Sequence, residues 1–350
     1  MATYYVATDG DDGNPGTLAE PFLTIQAGAY AADAAGDVVI VQPGTYQTTA
    51  TNGVVLQESG DAGNPITIMA AYPGAATLDG TQTSQYGFLF YRGASHIVLD
   101  GFTVTGYLKH GLSSNTGSSH VLIKRCMIHT IGGVEDTSAY GLAGIYTGYA
   151  PAKTSKHTIE QCVFHSIGRS APEEKQNLDH GIYTTGDDTV IRDCLFYDCD
   201  CGWCISIDGW AGLDNVLVDR CTFVRGAHRG HVVLGNDCAN VTVQRCVSYD
   251  ACGVYPEQGT DYGFVGFWTT SEDGISVRDN VVYEGTLTTN LGERSVTFSG
   301  NSEGSDPGLV DADNDKFTLS TGATARRYGA GARLSCGAQC PAKSKVAVIQ

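Results

Sequence analysis

One pattern recurs six times and leaves few folds open to this chain. The segments VLIKRCMIH, TIEQCVFHS, VIRDCLFYD, VLVDRCTFV, VTVQRCVSYD and ISVRDNVVY share it. Each has two or three alternating apolar residues, then polar ones, then Cys or Asn, then apolar residues again. The marked positions are Cys126, Cys162, Cys194, Cys221, Cys246 and Asn280, separated by 36, 32, 27, 25 and 34 residues. Runs this short and this strictly alternating are strands rather than helices. Gly186, Asp187, Asp188, Gly202 and Gly209 punctuate them as turn residues. Uneven spacing about a constant motif is what a solenoid produces when its core strands are fixed and its surface loops vary. With 45 glycines and only 3 methionines in 350 residues, the chain is expected to be an all-β coil, long enough to bury a core as one elongated body.

The formal net charge of −17 makes nucleic acid and anionic membrane surfaces poor partners. No apolar run approaches the roughly 18 to 20 residues needed to span a bilayer. An acidic polysaccharide remains a suitable ligand if a local cluster of Lys and Arg, or bound calcium, offsets the repulsion. The opening Met-Ala-Thr-Tyr-Tyr lacks a basic-then-apolar leader. This reads as a secreted protein whose leader is absent from this sequence, or as part of a virion. The five ladder cysteines read as stacked free thiols, which behave as small buried hydrophobes. Cys199, Cys201 and Cys204 lack a clear fourth ligand for zinc.

Residues 21–34 form the one good helix candidate, with Pro21 near its start and Ile25, Ala29 and Ala32 on one face. Such a helix suits the exposed end rung of a solenoid, as an N-terminal cap. Residues 37–80 give early rungs. The strand expected to face a groove then reads GFLF, GLSS, GIYT, GIYT, CISI, VVLG and GFVGF in successive rungs. Longer polar segments, 133–142 and 169–179, precede the two GIYT strands and mark the groove walls. The coil is expected to occupy residues 1–335, with 336–350, including Cys336 and Cys340, as a tail.

The ladder, with the N-terminal YYVATDGDDGNPGTLAEPFLTIQAGAYAADAAGDVVIVQPGTY and the closing DPGLVDADNDKFTLSTGATARRYGAG, resembles the right-handed parallel β-helix of the pectate-lyase-like superfamily. The resemblance covers about residues 3 to 331. It implies a single-stranded right-handed coil and a carbohydrate-active protein. The superfamily includes lyases, hydrolases, epimerases, esterases and phage tailspikes, so fold alone does not choose the reaction.

Five histidines recur at repeat positions and read as structural: His96, His120 and His157 at one, His129 and His165 at another. His110 and His180 stand directly before a groove-strand glycine. Tyr146 and Tyr183 follow Gly144 and Gly181 by two residues, so alternation stacks the tyrosines outward in the groove. Asp208 ends the next groove strand, with Trp210 just beyond it, an arrangement that suits a sugar face. Asp179, His231 and Trp268 flank other groove strands and join Tyr146, His110 and Trp210 as candidate substrate-binding residues.

β-Elimination on a uronic-acid glycan needs a base for the C5 proton, a cation for the carboxylate and an acid for the leaving oxygen. His180 or Lys109 supplies the base in this reading, Tyr183 the acid, and Arg229, ahead of Arg225, the cation. Asp208 joins this catalytic set. His180 and Tyr183 are three apart, so a regular strand cannot present both on one face. The chain is therefore expected to bend at Gly181 and turn His180 outward. In some lyases of the superfamily calcium replaces the arginine, and Asp187, Asp188 and Asp208 would then be its ligands.

Glycoside hydrolysis is the alternative, with Asp179 and Asp208 as the two carboxylates, about 5 Å apart on adjacent rungs. The run IRDCLFYDCDCGWCISID resembles bacterial alginate C5-epimerases, but their Asp-Pro-His motif is replaced here by HGIYTTG. A glycan-holding tailspike or adhesin is the non-enzymatic reading. The residues favour a monomeric polysaccharide lyase acting on an acidic glycan.

Overall fold

In a computed structural model of the chain, residues 1–114, 117–132, 141–148, 154–169, 178–199, 202–209, 212–225, 230–251, 263–268, 273–289, 291, 295–312 and 316–332 are described. They wind into a right-handed parallel coil with three faces. Sheet one has eleven strands, from Thr3–Val6 to Val296–Ser299. Sheet two has nine, from Asn52–Leu56 to Thr288–Thr289. Sheet three has ten, from Gly44–Gln47 to Ser302–Glu303. Each rung visits sheet two, then sheet one, then sheet three, as in Tyr86–Phe90, Ser95–Asp100 and Phe102–Thr105.

The corner between sheets one and three explains the sequence ladder. A single residue makes the turn, and in successive rungs it is Arg125, Gln161, Asp193, Arg220, Arg245 and Asp279, all with φ between 51° and 57°. The left-handed region is costly for non-glycine residues, and here neighbouring rungs hold it in place. Arg220 makes a two-pronged pair with Asp193 of the rung before, 2.8 Å at each prong, and Arg245 pairs in the same way with Asp219.

The residue after each corner points inward and is Cys126, Cys162, Cys194, Cys221, Cys246 or Asn280, none more than 1 % exposed. All five cysteines are free thiols. Burial pushes the Cys126, Cys194 and Cys246 thiols well above their usual value. Each Sγ–H reaches the carbonyl two residues back, as Cys194 does to Arg192 at 3.3 Å. Asn280 extends the ladder by accepting the Cys246 N–H, and Asn301 adds a seventh slot by accepting the Asn280 N–H.

Cys194→Ser is expected to cost about 1–3 kcal/mol, because the smaller hydroxyl leaves packing unfilled around a buried polar atom. Chemical denaturation measures this. Thiol labelling of the native protein that ran as fast as labelling of unfolded chain would contradict a buried ladder.

The helix spans Ile25–Ala31, shorter than residues 21–34, and Thr24 caps it by accepting the Ala27 N–H at 3.1 Å. Gly28 lies so close to Val6 and Val39 that a Cβ there would collide with both. Near the other end, Leu309–Asp311 and Lys316–Leu319 pair antiparallel. Their Phe317 packs with Val163, Leu195, Tyr197 and Val224 of sheet three. Residues 333–350, with Cys336 and Cys340, lie outside the described residues, as does Cys201.

Candidate active site

Sheet two carries the strands after the two inserted segments, and its outer face is set by a column of small residues. Register aligns Gly53, Gly87, Gly111, Gly144 and Gly181, followed in the same column by Cys204 and His231. These residues point inward. A Cβ at Gly181 would lie 3.0 Å from the Phe196 ring and 2.5 Å from the Cys204 carbonyl oxygen. Because Ile182 also faces the core, two consecutive residues point inward, and the alternation slips by one. His180 and Tyr183 therefore share the outer face, with ring centroids 5.6 Å apart. The bend expected at Gly181 is present. It depends on close approach to the neighbouring strand, since Gly181 is absent from the positive-φ glycines.

Along the outer face the rings form a ladder across the rungs. Tyr86 and His110 lie 5.5 Å apart, His110 stacks on Tyr146 at 4.7 Å, and Tyr146 stacks on Tyr183 at 5.2 Å with planes 5° apart. Tyr183 ends the stack by donating its hydroxyl to Asp208 Oδ2 at 3.0 Å, and Asn236 Nδ2 donates to Asp208 Oδ1 at 2.7 Å. Burial, then the Asp208 carboxylate, raises the Tyr183 pKa above the usual phenol value. Beyond Asp208, Gly235 leaves a gap before Trp268, which is 58 % exposed.

His110 and His180 are built alike. The Ala143 N–H donates to His110 Nδ1 at 3.0 Å, and the Trp203 N–H donates to His180 Nδ1 at 3.4 Å. A nitrogen that accepts carries no proton, so each neutral ring bears its proton on Nε2. Burial lowers both pKa values to about 3, helped at His110 by the Lys109 charge. Lys109 is half-buried. Among the described residues its ammonium forms no ion pair, whereas Arg125, Arg192, Arg220, Arg225 and Arg245 are paired with carboxylates.

Several sequence expectations are corrected. His231 does not face the groove. It fills the inward column that glycine holds in earlier rungs, stacks on Phe223 at 5.2 Å and shares a hydrogen bond with Ser248. His157 lies one residue off the His96 and His120 position and is buried, 3.0 Å from Ser114 Oγ. His96 and His120 do stack, as do His129 and His165.

Asp179 is not open to substrate. Arg169 grips both its oxygens, at 3.0 and 2.7 Å, with both side chains 1 % exposed. Nor is Asp179 beside Asp208. Register places it at the start of its strand and Asp208 level with Thr185, six residues along, or roughly 20 Å at about 3.3 Å per residue.

Asp187 and Asp188 serve the corner between sheets two and one, where Asp188 takes a φ of 53°. Asp187 Oδ1 accepts the Asp214 N–H, and Asp188 Oδ1 accepts Asn215 Nδ2. No group of three His, Cys, Asp or Glu among the described residues is placed to hold a metal ion. In the described structure both aspartates hold the turn through these bonds. Asp187→Asn and Asp188→Asn keep the accepting oxygen, so the melting temperature should move by no more than about 2 °C with turnover unchanged. Lost turnover that added calcium restores would return the pair to metal binding. Arg229 and Trp210 lie outside the described residues, together with 133–140 and 170–177 of the inserted segments.

Trp203 and Asn236 were not singled out from sequence. The Trp203 indole covers Gly230 and Gly266, where any Cβ would collide with it. Its place directly before CISID, in the column of His110 and His180, is the available signal. Asn236 follows VVLG with a φ of 44°, a conformation that asparagine tolerates better than most residues.

An outward ladder of aromatic rings, a tyrosine–carboxylate pair and a lysine without an ion pair among the described residues lie on one sheet of a parallel β-helix. The family model described as Pel9A-like, right handed beta helix region matches residues 4–229. The chain belongs to that family. It is 26 % identical over 319 residues to pectate lyase L of Dickeya chrysanthemi, covering 82 % of this chain and 72 % of that protein. Among solved structures it is similar to pectate lyase Pel9A, with a TM-score of 0.59 and 18 % identity over 87 % of this chain and 77 % of that one. It is also similar to a glycoside hydrolase, with a TM-score of 0.61 and 9 % identity over 95 % and 99 %. At these identities the two structures report the fold. No helix among the described residues is long and apolar enough to cross a membrane.

Proposed function

We infer that the protein is a polysaccharide lyase that cleaves a uronic-acid glycan by β-elimination on the outer face of sheet two. The observation that carries this reading is the Tyr146–Tyr183 stack with the Tyr183 hydroxyl held on Asp208. A phenol whose pKa is raised keeps its proton at neutral pH and can deliver it to a leaving oxygen that is becoming an alkoxide. Asp208, fixed by Asn236, orients that hydroxyl.

The base is Lys109. His110 and His180 each have Nδ1 on a backbone N–H and the proton on Nε2, which leaves no lone pair to receive the C5 proton. Lys109 is close enough to His110 for its charge to lower that ring's pKa, and it lacks a carboxylate partner among the described residues. As the free amine Lys109 takes the C5 proton while Tyr183 gives its own to the leaving oxygen, and exchange with solvent returns both groups to their starting states. Arg229 is proposed as the residue that neutralises the carboxylate.

The relatives named as pectate lyase support elimination. Hydrolysis is disfavoured because Asp179, its second carboxylate, is held by Arg169 at the far end of the strand. A polymeric substrate also implies action outside the cell.

The test is incubation with pectate, alginate and glycosaminoglycans, following the ultraviolet absorbance of a new C4–C5 double bond. Absorbance from one or more uronans is expected. New reducing ends without it would make the protein a hydrolase, and neither signal would make it a glycan-binding protein.

A further inference from the structure

The two histidines removed from the proton-transfer chemistry still need an explanation. Both are at least nine-tenths buried, at 8 % and 5 % exposure. Both are spent in the same way, leaning on the next rung to accept its first backbone N–H and lying against the groove tyrosine, Tyr146 for His110 and Tyr183 for His180. Register places them two rungs apart, with Ala143 between. At the 4.7–4.9 Å strand spacing the separation is roughly 10 Å.

In each ring the described residues supply a partner for Nδ1 and none for the Nε2–H. Neither Nε2 is among the buried side-chain atoms left without a partner, so each donor stays open to solvent or a ligand while the rest of its ring is buried. The repetition makes the point stronger, because the same open donor occurs twice on one face, beside the same tyrosine column.

We propose that His110 and His180 are a matched pair of neutral Nε2–H donors that bind two oxygens of the glycan, one at each end of a two-rung interval, and so set which glycan is accepted. This rests on the groove reading above. The donors stay in place because the groups facing them do not reverse the tautomer. Lys109 repels a proton on His110, Tyr146 and Tyr183 are neutral, and Asp208 is engaged by Tyr183 and Asn236. A neutral donor recognises a hydroxyl or a carboxylate oxygen without adding a charge to the groove.

The isosteric amides separate this role from a structural one. Asparagine places its oxygen near Nδ1 and keeps the backbone contact, while glutamine reaches the Nε2 position and keeps the outward donor. In a Tyr183→Phe background, which slows turnover about 100-fold or more, binding of saturated uronate tetrasaccharides from pectate and alginate is measured by calorimetry. His180→Asn and His110→Asn should each weaken binding of the preferred tetrasaccharide about tenfold, and the Gln variants by no more than about threefold. The reverse order, Asn binding like the parent and Gln failing, would overturn the proposal, and so would a parent that binds neither tetrasaccharide.

Nitrogen-15 spectra of the unmutated protein give a second measurement that needs no variant. Both rings should show a bare Nδ1 and a protonated Nε2 from roughly pH 5 to 8, where a free histidine titrates. Protonated Nδ1, or titration in that interval, sinks the idea. Tetrasaccharide binding without any unsaturated product from the wild-type enzyme would remove the lyase reading and leave the donor pair standing.

Discussion

Tyr183→Phe is expected to lower turnover about 100-fold or more while the melting temperature barely moves, since a positioned general acid contributes roughly 10²–10⁴. The substitution removes one oxygen and nothing else. The ring remains stacked on Tyr146 at 5.2 Å, and Asp208 keeps its bond from Asn236. The lost hydrogen bond is worth about 1 kcal/mol net, at a half-buried site that water can reach. Binding of the glycan should change little, so the loss should fall on kcat rather than KM. Near-normal kcat with an earlier melt would make Tyr183 a packing residue.

Arg169→Ala should be strongly destabilising, because Arg169 and Asp179 are a fully buried ion pair. It leaves Asp179 as a buried carboxylate with no counter-charge, which typically costs about 3–5 kcal/mol. The same carboxylate also accepts the Leu142 and Arg169 N–H groups, and it immediately precedes His180. The ion pair therefore ties together the residues that bracket both inserted segments. Hydrogen exchange at Leu142 is expected to accelerate first, since rungs of a solenoid open locally. Replacing both partners, with Arg169→Met and Asp179→Leu, should recover much of the loss, because the desolvated charges disappear together. If Arg169→Ala melted like the parent, the pair would be shown to be hydrated in solution.

What could be read from the sequence followed from periodicity. The ladder stands out because one corner, repeated with φ near 54°, always delivers the next residue inward. The choice of Cys or Asn there reports a rung wherever it occurs. The faces of sheet two were harder to read. Glycine passes unnoticed as an inward residue, so when Cys204 and then His231 take the glycine column, the written pattern shifts by one and a core histidine looks like a groove histidine.

Asp179 misled for a different reason. An unpaired carboxylate beside a groove strand suggests chemistry, and its partner, Arg169, lies across an inserted segment that carries no period. Asp187 and Asp188 were legible as turn residues, and that is the work their side chains do. Tyr146, Tyr183 and Asp208 were recoverable because strand alternation holds from Ile182 onward, after the bend.

The most direct test of elimination in this groove is the mass of the products released from a defined uronate oligosaccharide by wild-type protein, with Tyr183→Phe as control. Elimination moves a proton from C5 to the leaving oxygen and adds nothing, so the two fragments must sum to the mass of the starting glycan, one carrying a double bond. The wild type should give that sum, and Tyr183→Phe should give almost no fragments in the same time. Fragments that together weigh one water more than the starting glycan would contradict elimination and place the protein among the hydrolases.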